Sequence, residues 1–288
     1  MDCKIIAEIG CNHKGNIEIA KELIRQAVES GADVVKFQKR NNRELLSEEQ
    51  YSAPHPNPEN SYGNTYGEHR EFLELSLEQN KELKRYCEEL GIIYSTSVWD
   101  LTSAKEITSL NPKLIKIPSA MNNHYEMLEW LCDNYAGEIH VSTGMTSYEE
   151  IDKLVNFFVN KKRNKDIVLY NCTSGYPVPN KDIRLMEIVR LKERYGKVLK
   201  AIGFSGHHIG TAIDIAAFTL GVNWIERHFT LDRTWKGTDH AASLEPQDLK
   251  ELNNNIEYVK EALHYKTEEI LDIEMVQRKK LKYGVPLK

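Results

Sequence analysis

Short β-branched runs alternate with amphipathic helical runs along the whole of this chain, and that alternation leaves few folds open. Strand-like runs begin near Lys4, Asp33, Ile92, Leu114, Glu138, Ile167, Lys200 and Asn223. Helical patterns lie between and after them: Ile17 to Ser30, Leu77 to Leu90, Thr102 to Leu110, Tyr125 to Asn134, Tyr148 to Lys161, Lys181 to Tyr195, Thr211 to Leu220 and Pro246 to His264. Gly31, Gly91, Asn111, Gly196 and Gly221 stand where a left-handed residue would stop a helix. Strands joined through helices pair in parallel, and eight such units in about 250 residues is the size of a closed (β/α)8 TIM barrel. The expectation is a single α/β domain over residues 1–265, followed by a C-terminal tail, 266–288, resembling the start of a linker. An open doubly wound sheet is the alternative. No G-x-G-x-x-G follows the first strand run, so its dinucleotide-binding version has little support.

Polar residues crowd the C-terminal ends of these runs, the end at which a barrel builds its active site. Side chains alternate along a strand, so within Glu226-Arg227-His228 the acid and the histidine share one side and the arginine faces the other. If the last two strands are parallel neighbours, His207 meets His228. That is half of a metal site suited to manganese, iron, cobalt or zinc, unless both rings merely satisfy core carbonyls. The other strand ends supply Glu8, Asn12 and His13; Lys36 and Gln38; Ser95, Thr96 and Ser97; Lys116 and Ser119; Ser142 and Thr143; Asn171, Thr173, Ser174 and Tyr176; and Ser205. Lysines at 36 and 116, inside VVKFQ and LIKIP, would be costly to bury without anionic partners. Glu8 or Glu226 could pair with them internally. The number of hydroxyls favours the other reading, a site that receives a phosphorylated ligand.

A net charge of −5 and a pI near 6.1 offer no general attraction to nucleic acid or to an anionic membrane, so any anion must be held by a local cluster of cations. No basic, apolar leader and no long apolar run is present, and the five cysteines show no zinc spacing. The chain reads as a cytoplasmic protein with free thiols. Cys172 reads as a small buried hydrophobe without chemistry. One connection, Lys39 to Leu75, spans about 36 residues and is far longer than a typical strand-to-helix loop; it is a candidate lid or a surface insertion.

At these residues the sequence resembles the sialic acid synthases. The resemblance is carried by AEIGCNHKGN at 7–16, GADVVKFQKR at 31–40, TYGEHR at 65–70, CTSGYP at 172–177, GFSGHHIG at 203–210 and ERHFTLDRTWKGTDHAASLEP at 226–246. It implies a (β/α)8 barrel enzyme that condenses phosphoenolpyruvate with an aldose, N-acetylmannosamine or a related sugar, to give a nine-carbon 2-keto acid and phosphate. By the same likeness His207 and His228 would hold a divalent metal, Mn2+ first. Lys36, Thr96, Lys116, Ser119, Ser142, Ser174 and Ser205 would surround phosphoenolpyruvate. Glu8, Gln38, Tyr176, Glu226 and Asp239 would lie around the sugar, with Glu8 or Glu226 managing the proton of the added water.

Two departures from the family pattern carry expectations of their own. Members of the family typically continue into an antifreeze-like domain that reaches the partner subunit's site, whereas this sequence ends at Lys288. The expectation is a barrel alone, self-associating through its own surface or served by a separate antifreeze-like chain, with the sugar open to being a hexose or a phosphorylated aldose. IPSA at 117–120 stands where the family often has glycines, which alters the phosphate contact there. Another metal-dependent reaction on a sugar or sugar phosphate, and a non-catalytic barrel scaffold, are the competing readings.

Overall fold

The strand runs pair in sequence order and close on themselves. In the computed structural model, which describes residues 2–284, β1 (Lys4–Gly10), β2 (Val34–Lys39), β3 (Ile93–Val98), β4 (Leu114–Ile117), β5 (Glu138–Ser142), β6 (Ile167–Cys172), β7 (Ala201–Gly206) and β8 (Trp224–His228) form one closed parallel barrel. The expected TIM barrel is the fold observed. Its helices are α1 (Ile17–Glu29), α2 (Asn42–Leu45), α3 (Glu48–Ser52), α4 (Tyr66–Phe72), α5 (Leu77–Leu90), α6 (Leu101–Ser109), α7 (Tyr125–Asn134), α8 (Tyr148–Asn160), α9 (Met186–Tyr195), α10 (Ala212–Thr219), α11 (Pro246–Ala262) and α12 (Asp272–Leu281). No helix among the described residues is long and apolar enough to cross a membrane.

The period of two divides each strand between two environments. Ile5, Ala7, Val35, Phe37, Ile115, Ile139, Leu169 and Ile225 point outward under the helices, where the apolar stripes of α1, α5 and α11 cover one side and those of α7 and α8 the other. The inward set begins with a buried apolar plug of Ile6, Val34, Leu114, Val168, Tyr170 and Trp224. One step of two residues higher, the same strands turn Glu8, Lys36, Lys116 and Glu226 into the barrel. The plug therefore forms the floor of a polar cavity. Arg227 faces outward as expected, buried between the strand and α10, where it pairs with Asp214 and donates to the His208 carbonyl.

Several boundaries differ from the sequence reading for local reasons. Gly31, Gly91, Asn111 and Gly221 do adopt positive φ, but Gly196 keeps right-handed helical geometry and donates an ordinary helical bond to the Lys192 carbonyl. The helix expected from Lys181 starts only at Met186, because Arg184 takes φ 55° and interrupts it after a 3₁₀ turn at Asn180–Asp182. The tail has a helix of its own, α12, whose acidic first turn and basic last turn both favour the helix dipole; the tail's last four residues, 285–288, lie outside the described residues.

The long connection after β2 is built rather than loose. It holds α2, α3, a 3₁₀ turn at Pro58–Asn60 and α4, with capping boxes at Ser47 and Thr65. A Cβ on Gly15 would sit 2.1 Å from the Phe72 carbonyl, so α4 rests directly on the loop after β1. Across the rim, the Gly237 amide donates to Asn60 Oδ1 at 3.3 Å and the Tyr62 hydroxyl donates to the Lys236 carbonyl. The segment thus spans from β2 to the loop after β8.

Candidate active site

The strand ends enclose a cavity of about 310 Å³ lined by Glu8, Lys36, Gln38, Lys116, Ser119, Ser142, Ser174, Tyr176, Ser205, His207, Glu226 and His228, together with Ser97, Trp99 and Cys172. A charge network lies on its apolar floor. Lys116 Nζ donates to both carboxylate oxygens of Glu226 at 2.7 Å, and the Ser205 hydroxyl donates to Glu226 Oε1 at 3.0 Å. Lys36 contacts Glu8, donates to Ser97 Oγ at 2.7 Å and lies 3.8 Å from Glu226. Gln38 Nε2 donates to Glu8 Oε1 at 3.0 Å. Both lysines therefore have the internal carboxylate partners that the sequence left as one of two possibilities, while the hydroxyl wall remains beside them.

The two carboxyls experience different fields. Burial raises the Glu8 pKa to about 7, because the opposing Lys36 charge is partly offset by repulsion from Glu226. Burial acts on Glu226 too, but Lys116 and Lys36 overcome it and hold that group well below the usual carboxylate range. Burial likewise draws Lys116 downward, against the pull of Glu226. Two carboxyls, one held ionised and one close to neutrality, divide naturally into an anchor and a proton carrier.

On the opposite wall, the hydroxyls of Ser119 and Ser174 converge on Gly144. Its amide donates to Ser119 Oγ at 3.0 Å, and a Cβ there would fall 2.4 Å from Ser174 Oγ and 2.8 Å from Ser119 Oγ. Only a glycine leaves this cradle open. Pro118 and Ala120 line the same wall.

His207 and His228 meet as the strand pairing predicts, with ring centroids 5.5 Å apart. The Thr173 carbonyl accepts from His207 Nδ1 at 2.9 Å, and the Cys172 thiol is the ring's other close partner. His228 Nδ1 is buried without a hydrogen-bond partner, and Asp239 lies 3.9 Å away. Burial lowers the His228 pKa to about 4, so its ring is neutral and able to ligate at neutral pH. A pair of fixed imidazoles suits a borderline divalent ion. No cluster of three or more His, Cys, Asp or Glu forms a complete protein cage among the described residues.

One sequence assignment changes position. Thr96 does not reach the cavity: it is on the outer face of β3, where its hydroxyl donates to Tyr94 Oη at 2.6 Å. Its neighbour Ser97, in register with Gln38, takes the inward place. Asp239 stands at the rim of the same site, 3.9 Å from His228 Nδ1. Asn12 and His13, like Thr96, are turned away. Asn12 ties the loop after β1 to Phe229 and Ser243, and His13 Nδ1 accepts the Gly15 amide.

Cys172 and Trp99 are the residues missed. Cys172 shares the inward parity of Tyr170, and its sulfur accepts the Ser119 hydroxyl at 3.7 Å. Although burial pushes its thiol up, His207 and Lys116 bring it net below the ordinary value. The parity of β6 carried that signal; Trp99, one residue beyond β3, had no such marker.

Comparison with known proteins agrees with this fold. The model of the NeuB family matches residues 23–268. Human N-acetylneuraminate-9-phosphate synthase is 39% identical over 99% of this chain and 78% of that protein. N,N'-diacetyllegionaminic acid synthase of Campylobacter jejuni is 35% identical over 90% of this chain and 77% of its own length. The crystal structure of N-acetylneuraminic acid (sialic acid) synthetase from Leptospira borgpetersenii in complex with citrate superposes with a TM-score of 0.81 at 27% identity, covering 98% of this chain and 93% of that one. A barrel with paired lysines and carboxyls on its floor, an imidazole pair at its mouth and this extent of likeness to such synthases belongs to the NeuB family, the sialic acid synthases.

Proposed function

We propose that this chain condenses phosphoenolpyruvate with an aldose of the N-acylmannosamine type, forming a 2-keto-3-deoxy sugar acid and phosphate with the help of a divalent metal. The observation that carries the reading is the charge network on the floor of the cavity. Two ammonium groups and two carboxyls of opposed proton affinity sit beside a serine cradle, the donor set required by a small trianion that must be attacked by water next to it.

In this reading the methylene carbon of phosphoenolpyruvate bonds to the aldehyde carbon, water adds at the neighbouring carbon, and phosphate leaves with cleavage of its C–O bond. Ser119, Ser142, Ser174 and the lysines hold the phosphoryl and carboxylate oxygens. Lys116 and Ser205 fix Glu226 in its ionised form, and Glu226 in turn keeps the Lys116 ammonium in place. Glu8, with its pKa raised to about 7, takes the proton of the adding water and returns one to the new hydroxyl. Gln38 keeps the Glu8 carboxyl oriented.

His207 and His228 would hold the metal, manganese being our assignment. When bound, such an ion would supply Lewis-acid polarisation of the aldehyde oxygen. The built segment between β2 and α5 limits the access of bulk water to this end of the barrel.

The test is phosphate release from phosphoenolpyruvate by the manganese-loaded protein over a panel of aldoses. Release with one sugar, in equal amount to the keto acid formed, supports the reading. Aldose isomerisation without consumption of phosphoenolpyruvate would replace it with another sugar reaction, and bound ligands without any turnover would favour a scaffold.

A further inference from the structure

Beneath the charge network, the apolar plug contains a ring that the condensation reading does not use. Tyr170 is buried and turned inward from β6, and the Lys116 ammonium lies 4.0 Å from the centroid of its ring. Glu226 holds the same ammonium through both carboxylate oxygens. Lys116 thus has two kinds of partner, an anion and an aromatic face.

The tyrosine ring is fixed in place. Its hydroxyl lies 2.7 Å from His140 Nδ1, and the other nitrogen of that imidazole lies 3.4 Å from Glu138 Oε2. Burial lowers the His140 pKa to about 4, so the imidazole is neutral; with Nε2–H donating to the carboxylate, Nδ1 accepts the tyrosine hydroxyl. His140 is held in turn by an edge-on contact with Trp224, the centroids 4.6 Å apart. On β7, a Cβ at Gly203 would fall 2.5 Å from Tyr170 Cε1, so only a glycine lets the ring lie across that strand. Filling the plug requires none of this, since Ile6, Val34, Leu114 and Val168 do so with aliphatic side chains. A phenol tied through a buried imidazole to a carboxylate is a costly filler unless its face has a task.

We infer that Tyr170 is a positioning residue, whose aromatic face holds the Lys116 ammonium where it can bind phosphoenolpyruvate. Burial works against the charged form of Lys116. The ring's negative face offsets part of that cost, and it does so without another acceptor atom to compete with substrate for the ammonium hydrogens. The inference rests on the condensation reading for what Lys116 binds; the holding of Lys116 by Tyr170 stands apart from it.

The experiment compares Tyr170→Phe with Tyr170→Leu in the intact protein. Calorimetric titration with phosphoenolpyruvate reads the consequence. The NMR resonance of the Lys116 ε-methylene protons, recorded without manganese and identified by its disappearance in Lys116→Arg, reads the contact. Both variants lose the hydrogen bond to His140 and should melt at lower temperature. Only Tyr170→Leu loses the ring, so its affinity for phosphoenolpyruvate should fall about 5- to 30-fold, the range for a desolvated cation–π contact, while Tyr170→Phe stays within about twofold of the wild type. Ring current should displace the Lys116 resonance upfield in the wild type and in Tyr170→Phe, and Tyr170→Leu should release it. Tyr170→Met, unbranched and closer in volume, serves if Tyr170→Leu does not fold. Equal losses of affinity in the Phe and Leu variants would trace the effect to the hydroxyl and overturn the assignment, as would unchanged affinity or an unmoved resonance in Tyr170→Leu. If the wild type does not bind phosphoenolpyruvate, the condensation reading fails and the resonance decides Tyr170 alone: release in Tyr170→Leu upholds the holding of Lys116, and an unmoved resonance removes it.

Discussion

Lys116 Nζ lies 2.7 Å from both carboxylate oxygens of Glu226, so that an ammonium from β4 and a carboxylate from β8 meet across the interior of the barrel. Both side chains are buried, and each makes the other tolerable. Their shared position explains how a barrel can hold buried charge above an apolar floor without an open pore.

Removing one partner leaves the other uncompensated. Lys116→Met is expected to destabilise the protein by about 3–5 kcal/mol, the range for breaking a buried pair. Lys116→Met combined with Glu226→Leu should recover most of that loss while remaining inactive. Urea titrations of the single and double variants measure both effects; a double variant no more stable than the single one would contradict the pairing.

The serine cradle offers a smaller perturbation. Gly144→Ala places a methyl group 2.4 Å from Ser174 Oγ and 2.8 Å from Ser119 Oγ, which must then rotate away. We expect a loss of about 10- to 100-fold in kcat/KM for phosphoenolpyruvate from this displacement, with little change in the melting temperature. Steady-state kinetics at saturating aldose reads it, and an unaltered KM would remove the cradle from the phosphoenolpyruvate site.

The sequence conveyed the barrel well because inward and outward residues differ in chemistry on most strands. On β2 Lys36 stands between Val35 and Phe37 and shares its parity with Gln38, and on β8 Glu226 and His228 share one parity. On β3 the rule lost its contrast: Ser95, Thr96 and Ser97 all carry hydroxyls, so parity could not be read from polarity. The neighbouring Tyr94 and Val98 pack outward with the helices and place Thr96 with them. Cys172 was hidden for the opposite reason, since a thiol passes for an apolar residue. The segment after β2 was harder to read, because its short helices dock on Gly15 through a tertiary contact without sequence periodicity.

The parity of β3 is directly testable. Thr96→Val is expected to leave turnover near wild type and to cost about 1 kcal/mol, the value of one buried hydrogen bond, here the one donated to Tyr94. Ser97→Ala removes the acceptor of Lys36 and should lower kcat/KM instead. The reverse ranking in a kinetic comparison would return Thr96 to the site.

For the imidazole pair, His207→Ala and His228→Ala should each abolish manganese-dependent turnover with the fold retained. Metal binding has its own readout: manganese at 100 times its dissociation constant should stabilise the wild type by about 2.7 kcal/mol and neither variant. Calorimetric melts with and without manganese measure this. A full manganese-induced shift in either variant would separate the histidines from the metal.

Glu8 links the chemistry to pH. Its folded pKa of about 7 lies above the ordinary 4.5, so between those values the folded protein binds the extra proton. The stability this contributes is complete below pH 4.5 and is lost as pH rises through 7. Deprotonation over the same interval creates the base that the water step requires, so turnover should climb towards pH 7 while the melting temperature declines. Glu8→Gln cannot titrate: it should be inactive and should lose this part of the decline. Melting temperatures and kcat measured in parallel from pH 5 to 8 decide the matter. A variant with the wild-type slope would transfer the titration to another group, and a wild-type rate flat across neutrality would remove Glu8 from the proton step.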